Sequence, residues 1–237
     1  MKIIIIKCLT ILELLMVVSC KKESATLQSL PVTVSGSTEV LLTEIDRARA
    51  ISSIKIGTQR WMTKNLDVET YRNGDRIPQV KDADEWATLT TGAWCYYNND
   101  PDNGAIYGKL YNWYAVNDPR GLAPIDYHIP GNKEWTTLSA FLGGEAVAGG
   151  KMKEIGTAHW LAPNTDATNS SGFTGLPGGR RYDTGLFFAI GSQGMWWTSN
   201  RIGPFDAWFR TLSYNFGGIG KANWLNLFGY SVRCVKD

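Results

Sequence analysis

The sequence predicts an α+β domain. Two stretches carry apolar residues at helical spacing, several short stretches alternate like strands, and long Gly- and Asn-rich loops join them. Hydrophobic residues make up 43% of the chain and charged residues 19%, enough for a packed core and too apolar for wholesale disorder. Ten Trp and ten Tyr put an unusual share of that core into large rings.

The elements follow in order. Ser53-Ile54-Lys55-Ile56 alternates and stops at Gly57, which predicts a strand and a turn. Asp82 or Asp84 is placed to cap a short helix through Trp86 and Leu89. Residues 93–97 are strand-like, and Asn98-Asn99-Asp100-Pro101-Asp102-Asn103-Gly104 reads as a turn-rich loop. Over residues 107–116 and just beyond, Leu110, Trp113, Tyr114 and Asn117 fall on one side at helical spacing. A second helix opens at Pro130-Gly131-Asn132-Lys133-Glu134-Trp135. Its apolar face is Trp135, Leu138 and Leu142, and Gly143-Gly144 stops it. Beyond Gly144 the chain reads as loops and short strands, of which 208–214 and 230–235 alternate most clearly.

Ahead of this domain lies an address. Residues 1–19 form a basic start and a short apolar stretch, the pattern of a secretory signal and too short for a membrane span of roughly 20 residues. Val17-Val18-Ser19-Cys20 resembles the bacterial lipobox, in which the Cys is acylated and becomes the mature N-terminus. Acylation of Cys20 would anchor the protein in a membrane, at the outer membrane or cell surface. Residues 20–42, rich in Ser, Thr and Val, are expected to be a flexible tether, and 43–237 one domain.

The formal net charge is +2. Loss of residues 1–19 removes Lys2, Lys7 and Glu13, leaving 22 basic and 21 acidic residues. With no block of like charge, nucleic acid is not an expected partner.

Several stretches of the domain resemble the Fibrobacter succinogenes major paralogous domain family. They include Ile56-Gly57-Thr58-Gln59-Arg60-Trp61-Met62 with Asn65-Leu66, Tyr71-Arg72-Asn73-Gly74-Asp75, and Ala93-Trp94-Cys95-Tyr96-Tyr97-Asn98-Asn99-Asp100. Tyr107-Gly108-Lys109-Leu110-Tyr111-Asn112-Trp113, His128-Ile129-Pro130, Leu176-Pro177-Gly178-Gly179-Arg180, Trp196-Trp197-Thr198-Ser199 and Ser231-Val232-Arg233-Cys234-Val235 continue the series. Two positions depart from the family pattern. Asp46-Arg47-Ala48-Arg49 replaces its Asp-Gly-Asn hairpin, and Gly131 replaces a Ser or Thr helix cap. The resemblance implies a C-type lectin-like fold with two helices, small antiparallel sheets and long irregular loops. It implies no activity, because the family has none assigned as a whole.

Chemistry is sparse in the sequence. Two His exclude a multi-His metal site, and neither metal nor cofactor is expected. The loop at 98–104 lacks the distal Glu of a calcium-binding EF-hand and reads better as an Asx-type turn. Cys95 and Cys234, the only cysteines of the domain, are expected to form a disulfide in an exported protein; inert buried thiols, or a nucleophile with His128 or His159 as base, are the alternatives. The resemblance extends to formylglycine-generating proteins of the same fold, but these use a closely spaced Cys pair that this chain lacks. No catalytic residue is assigned.

The sequence therefore points to a surface-anchored binding or adhesion lipoprotein with a glycan or a partner protein as ligand. An enzyme acting on extracellular polymers and a structural subunit of a surface appendage are the alternatives. In the C-type lectin-like fold, ligand contacts come mostly from the later half. That comparison places the ligand surface at Trp197, Trp208, Arg210, Asn223 and Trp224, with at least half of the ten Trp left in the core. Trp196 and Trp197 are strand neighbours, so one is expected in the core and the other near the surface.

Overall fold

A computed structural model describes residues 51–237. The signal peptide at 1–19, Cys20, the tether at 20–42 and Asp46-Arg47-Ala48-Arg49 lie outside the described residues, as does the start of the domain at 43.

The first hairpin is the one the alternation predicts. Strand β1 (Ser53–Ile56) pairs antiparallel with β2 (Gln59–Met62) around Gly57, whose φ of +62° suits glycine. Asp82 caps helix α1 (Ala83–Ala87), its Oδ1 accepting from the Glu85 amide at 2.9 Å. Residues 93–97 shorten to β3 (Trp94–Cys95).

The Asn/Asp-rich stretch then departs from expectation. After a 3-10 turn (Tyr97–Asn99), Asp100 accepts from the Asp102 amide, an Asx turn that opens helix α2 (Pro101–Tyr107) with proline in its first turn. The same turn chemistry serves equally as a helix start. The helix expected over 107–116 is also corrected: β4 (Leu110–Tyr111) pairs with β3, and only α3 (Trp113–Val116), capped by Asn112, is helical.

Strand β5 (Tyr127–His128) leads into α4 (Asn132–Phe141). Gly131 brings no side chain to the cap, yet Glu134 reaches back to its amide at 2.8 Å. Trp135, Leu138 and Leu142 are buried as the spacing predicts. Helix α5 (Glu145–Met152) follows where loop was expected. Its Gly149-Gly150 pair weakens the helix signal, and the fold explains the pair. A Cβ at Gly149 would stand 1.9 Å from the Gly218 carbonyl oxygen, and one at Gly150 would stand 2.3 Å from that of Asp166.

The later half holds a hairpin of β6 (Gly178–Arg181) and β7 (Phe187–Ile190). A three-stranded antiparallel meander of β8 (Gln193–Arg201), β9 (Asp206–Ser213) and β10 (Phe216–Leu225) follows. β11 (Val235–Lys236) inserts between β2 and β5, which brings the end of the chain beside the first hairpin. The domain is thus α+β, with small antiparallel sheets and five short helices among the described residues.

Both faces of the meander are covered. Trp196 and Leu212 face α4 and α5, in a cluster with Trp61, Trp135 and Phe173; the Trp61 and Trp135 rings lie 4.7 Å apart. Trp197 and Phe209 face the opposite way, onto Trp113 and Tyr230. Neither adjacent tryptophan approaches the surface, which corrects the expectation that one would. Alternation separates their faces, but a sheet sandwiched on both sides buries each. Eight of the ten Trp are core. Many of their indole N–H groups are stapled to distant segments, Trp197 to the Tyr111 carbonyl and Trp196 to Asn65 Oδ1, each at 2.8 Å.

The expected disulfide is likewise corrected. Cys95 and Cys234 are both free and buried. Cys95 packs with Val80, Trp86 and Leu110, whereas Cys234 belongs to the separate cluster of Met62, Tyr111 and Val232. Burial pushes each thiol up to about 12, so both are protonated at neutral pH and act as small apolar fillers.

Candidate functional site

The five residues assigned to the ligand surface separate into three groups. Trp197 and Arg210 are fully buried and leave the surface altogether. The Arg210 guanidinium is spent on structure. Nη1 donates to Glu145 Oε1 at 2.8 Å, and Nη2 reaches the Asn132 carbonyl and Thr136 Oγ1 on α4. Trp208 and Asn223 are cross-strand partners and share one face of the sheet, where Lys221 Nζ lies 4.1 Å from the Trp208 ring centroid. Trp224 pairs with Ala207 and therefore lies on the opposite face. No single platform contains all five.

Trp224 belongs instead to a row of rings. Its indole, 51% exposed, lies 5.6 Å from Phe228; Phe228 lies 5.3 Å from Tyr182, and Tyr182 6.0 Å from Phe188, which is 55% exposed. The contacts at Tyr182–Phe228 and Trp224–Phe228 are edge-on, an arrangement favoured by the ring quadrupole. The row is anchored from below. Phe228 touches Tyr230, and Tyr230 touches the buried Trp197, so the exposed rings continue an aromatic chain that begins in the core. Trp197, misplaced as a ligand residue, is part of what holds the row in position.

Local sequence explains how Tyr182 and Phe188 arrive there. Across the β6–β7 hairpin Arg180 pairs with Phe188, and Arg181 pairs with Phe187 on the other face. Arg181 turns inward and is fully buried, donating to the carbonyls of Gly185, Val80, Lys81 and Asp82 and stacking over Trp86. Arg180 turns outward. Its guanidinium carbon stands 4.8 Å from the Tyr182 ring centroid and 5.3 Å from that of Phe188, and Nη2 donates to the Tyr182 hydroxyl at 2.9 Å. The reciprocal backbone bonds between Arg181 and Gly229 bring Phe228 alongside this hairpin. Ile202, Phe205 and Leu225 extend the exposed apolar surface at the end of the meander where Trp224 sits.

Sequence reasoning missed Phe188, Tyr182 and Arg180. The signal was present but partial: Asp183-Thr184-Gly185 is a turn-forming triplet, and the continuous apolar run Leu186–Ile190 after it is of strand length.

The two histidines sit in carboxylate pairs. His128 is held between Asp237 (Nδ1–Oδ1 2.6 Å) and Glu134 (Nε2–Oε1 2.5 Å). Burial alone would lower its pKa, but the two carboxylates outweigh that and hold it above the ordinary value. His159 Nδ1 meets Glu154 Oε2 at 2.8 Å, with the Tyr107 ring edge-on to the imidazole. Two carboxyl groups, Asp75 and Asp118, are held below their ordinary range. Asp75 is lowered by hydrogen bonds from Asn73 and Arg120, and Asp118 is lowered to about 2 by Arg120. Both shifts favour the ionised form, the opposite of what a general acid needs.

Comparison with known proteins adds one finding. A search of curated proteins and a search of solved structures each found no match. Residues 54–236 match the family model described as the Fibrobacter succinogenes major domain, which spans nearly all of the described structure. The chain belongs to the Fibrobacter succinogenes major domain family.

Proposed function

We propose that this chain is a surface-anchored binding lipoprotein, held to the envelope by acyl groups on Cys20. It presents a C-type lectin-like domain whose ligand face is Phe188, Tyr182 and Trp224, braced by the buried Phe228, and the ligand is a glycan. The observation that carries the reading is the row itself: four rings in contact, exposed at both ends and fixed to the core at the middle. Flat ring faces with the Arg180 and Tyr182 polar groups at their edge suit a ligand that offers apolar faces and hydroxyls together. A rigid platform loses little conformational entropy on binding.

The test is a glycan array and a pull-down with the intact protein, followed by Trp224→Ala and Phe188→Ala. Both side chains are about half exposed, so each variant should keep its melting temperature within a few degrees, while binding falls by roughly ten-fold or more. Selection of a protein in the pull-down, with an empty array, would replace glycan by partner protein as the ligand class. Unchanged binding in both variants would remove the row from the site. Mass spectrometry of membrane-extracted protein should show an acylated Cys20, and a Cys20→Ala protein still held by membranes would defeat the anchor.

A further inference from the structure

A second site lies far from the aromatic row in sequence. The segment after β2 and the segment before β5 enclose a cleft of about 470 Å³. Volumes of this order take small organic ligands. Met62, Leu66, Tyr71 and Leu122, all buried members of one core cluster, form its packed floor. Ile51, Val68 and Ile125, all at least partly exposed, supply its apolar surface.

The walls are tied together by Arg72. Its amide donates to the Gly121 carbonyl. Nε donates to Ala123 O at 3.2 Å, and Nη2 donates to Pro124 O at 3.2 Å and Tyr127 O at 3.0 Å. These bonds span from one wall to the other, so the cleft is formed without a ligand. They also leave the two N–H groups of Nη1 with no protein acceptor among the described residues.

The charge at the cleft is one-sided. Lys64 and Arg72 line it, and neither joins an ion pair among the described residues. Asp67, the one carboxylate in the lining, is taken up by the buried Lys109 ammonium at 2.6 Å, which Glu69 also approaches at 3.6 Å. An apolar cavity with a fixed guanidinium and a free ammonium selects a ligand with an apolar body and an anionic head. We propose that this cleft binds an amphiphilic carboxylate, with its chain against Ile51, Val68 and Ile125 and its head at Arg72 Nη1 and Lys64.

The test is calorimetric titration of the full chain with decanoate, decanol and decyltrimethylammonium, all kept below aggregation. Decanoate should bind saturably at one site. Decanol should bind roughly ten-fold more weakly, having lost the charge-assisted hydrogen bond, and the cation should not bind measurably. Lys64 is exposed and its side chain makes no hydrogen bond among the described residues, so Lys64→Gln should fold normally and weaken decanoate by about three-fold. Val68→Trp, which fills the cleft from a partly exposed position, should abolish binding with the circular-dichroism spectrum unchanged. Absence of saturable binding overturns the proposal, and a cleft already filled by another part of the chain would give that result. Equal affinity for decanoate and decanol, or binding that survives Val68→Trp in a folded protein, overturns it as well.

Discussion

Asn65 is the position where one small change should cost this fold most. Its Oδ1 accepts from three buried donors: Trp196 Nε1 at 2.8 Å, Arg233 Nη2 at 2.7 Å and Arg233 Nε at 3.1 Å. Its Nδ2 donates to the Tyr107 carbonyl at 2.8 Å and to Ser231 Oγ at 3.2 Å. Arg233 is fully buried and meets only neutral acceptors: Asn65, Met62 O, Phe173 O and Thr174 O. Burial therefore lowers its pKa to about 9. Asn65→Ala strands an indole N–H and two guanidinium N–H groups. A buried unsatisfied donor costs about 1–3 kcal/mol, more when charged, so the variant should lose about 3–5 kcal/mol. For a chain of this size that is a fall of roughly 10 °C in melting temperature. Asn65→Asp keeps an acceptor and places a carboxylate against the guanidinium, so it should retain more stability than Asn65→Ala. Urea denaturation of the three proteins at equal m-value measures the difference. A cost below about 1 kcal/mol for Asn65→Ala, or equal damage from Asp and Ala, would refute the reasoning.

Three further outcomes are expected. Gly149→Ala, which in an exposed helix would stabilise by about 1 kcal/mol, should destabilise here because the new methyl meets the Gly218 carbonyl; a raised melting temperature would contradict the packing. Cys95 and Cys234 should resist maleimide in the native protein and react once it is unfolded without reductant, as peptide mass spectrometry would show; an oxidised pair would contradict the structure. His128 has a folded-state pKa above 6.5, so the stability from its carboxylate clamp is complete below about pH 6.5 and is lost as pH rises through the folded value. Melting temperatures of wild type and His128→Gln should therefore converge with rising pH, and a constant difference would exclude the clamp as the source.

The sequence by itself determined what depends on neighbours along the chain. The β1–β2 turn at Gly57, the cap of α1 at Asp82, the apolar face of α4 and the alternation of β9 are all set by residues within a turn of one another. Helix α5 was illegible, because Gly149-Gly150 argues against a helix until β10 and the Asp166 loop are seen to require the missing side chains. Cysteine count suggested a bond, but the core places Cys95 and Cys234 in different clusters, and only the folded chain decides that. The candidate site shows the division most clearly. The alternation over 208–214 puts Trp208 and Arg210 on one face and Phe209 on the other, as the strand register does. It could not say which face would be covered, because burial is set by whatever packs above the sheet. Here α4 and α5 cover one face and the Trp113–Tyr230 region the other, so the rings of the row that stay exposed are Trp224 near the end of β10 and Phe188 on the β6–β7 hairpin.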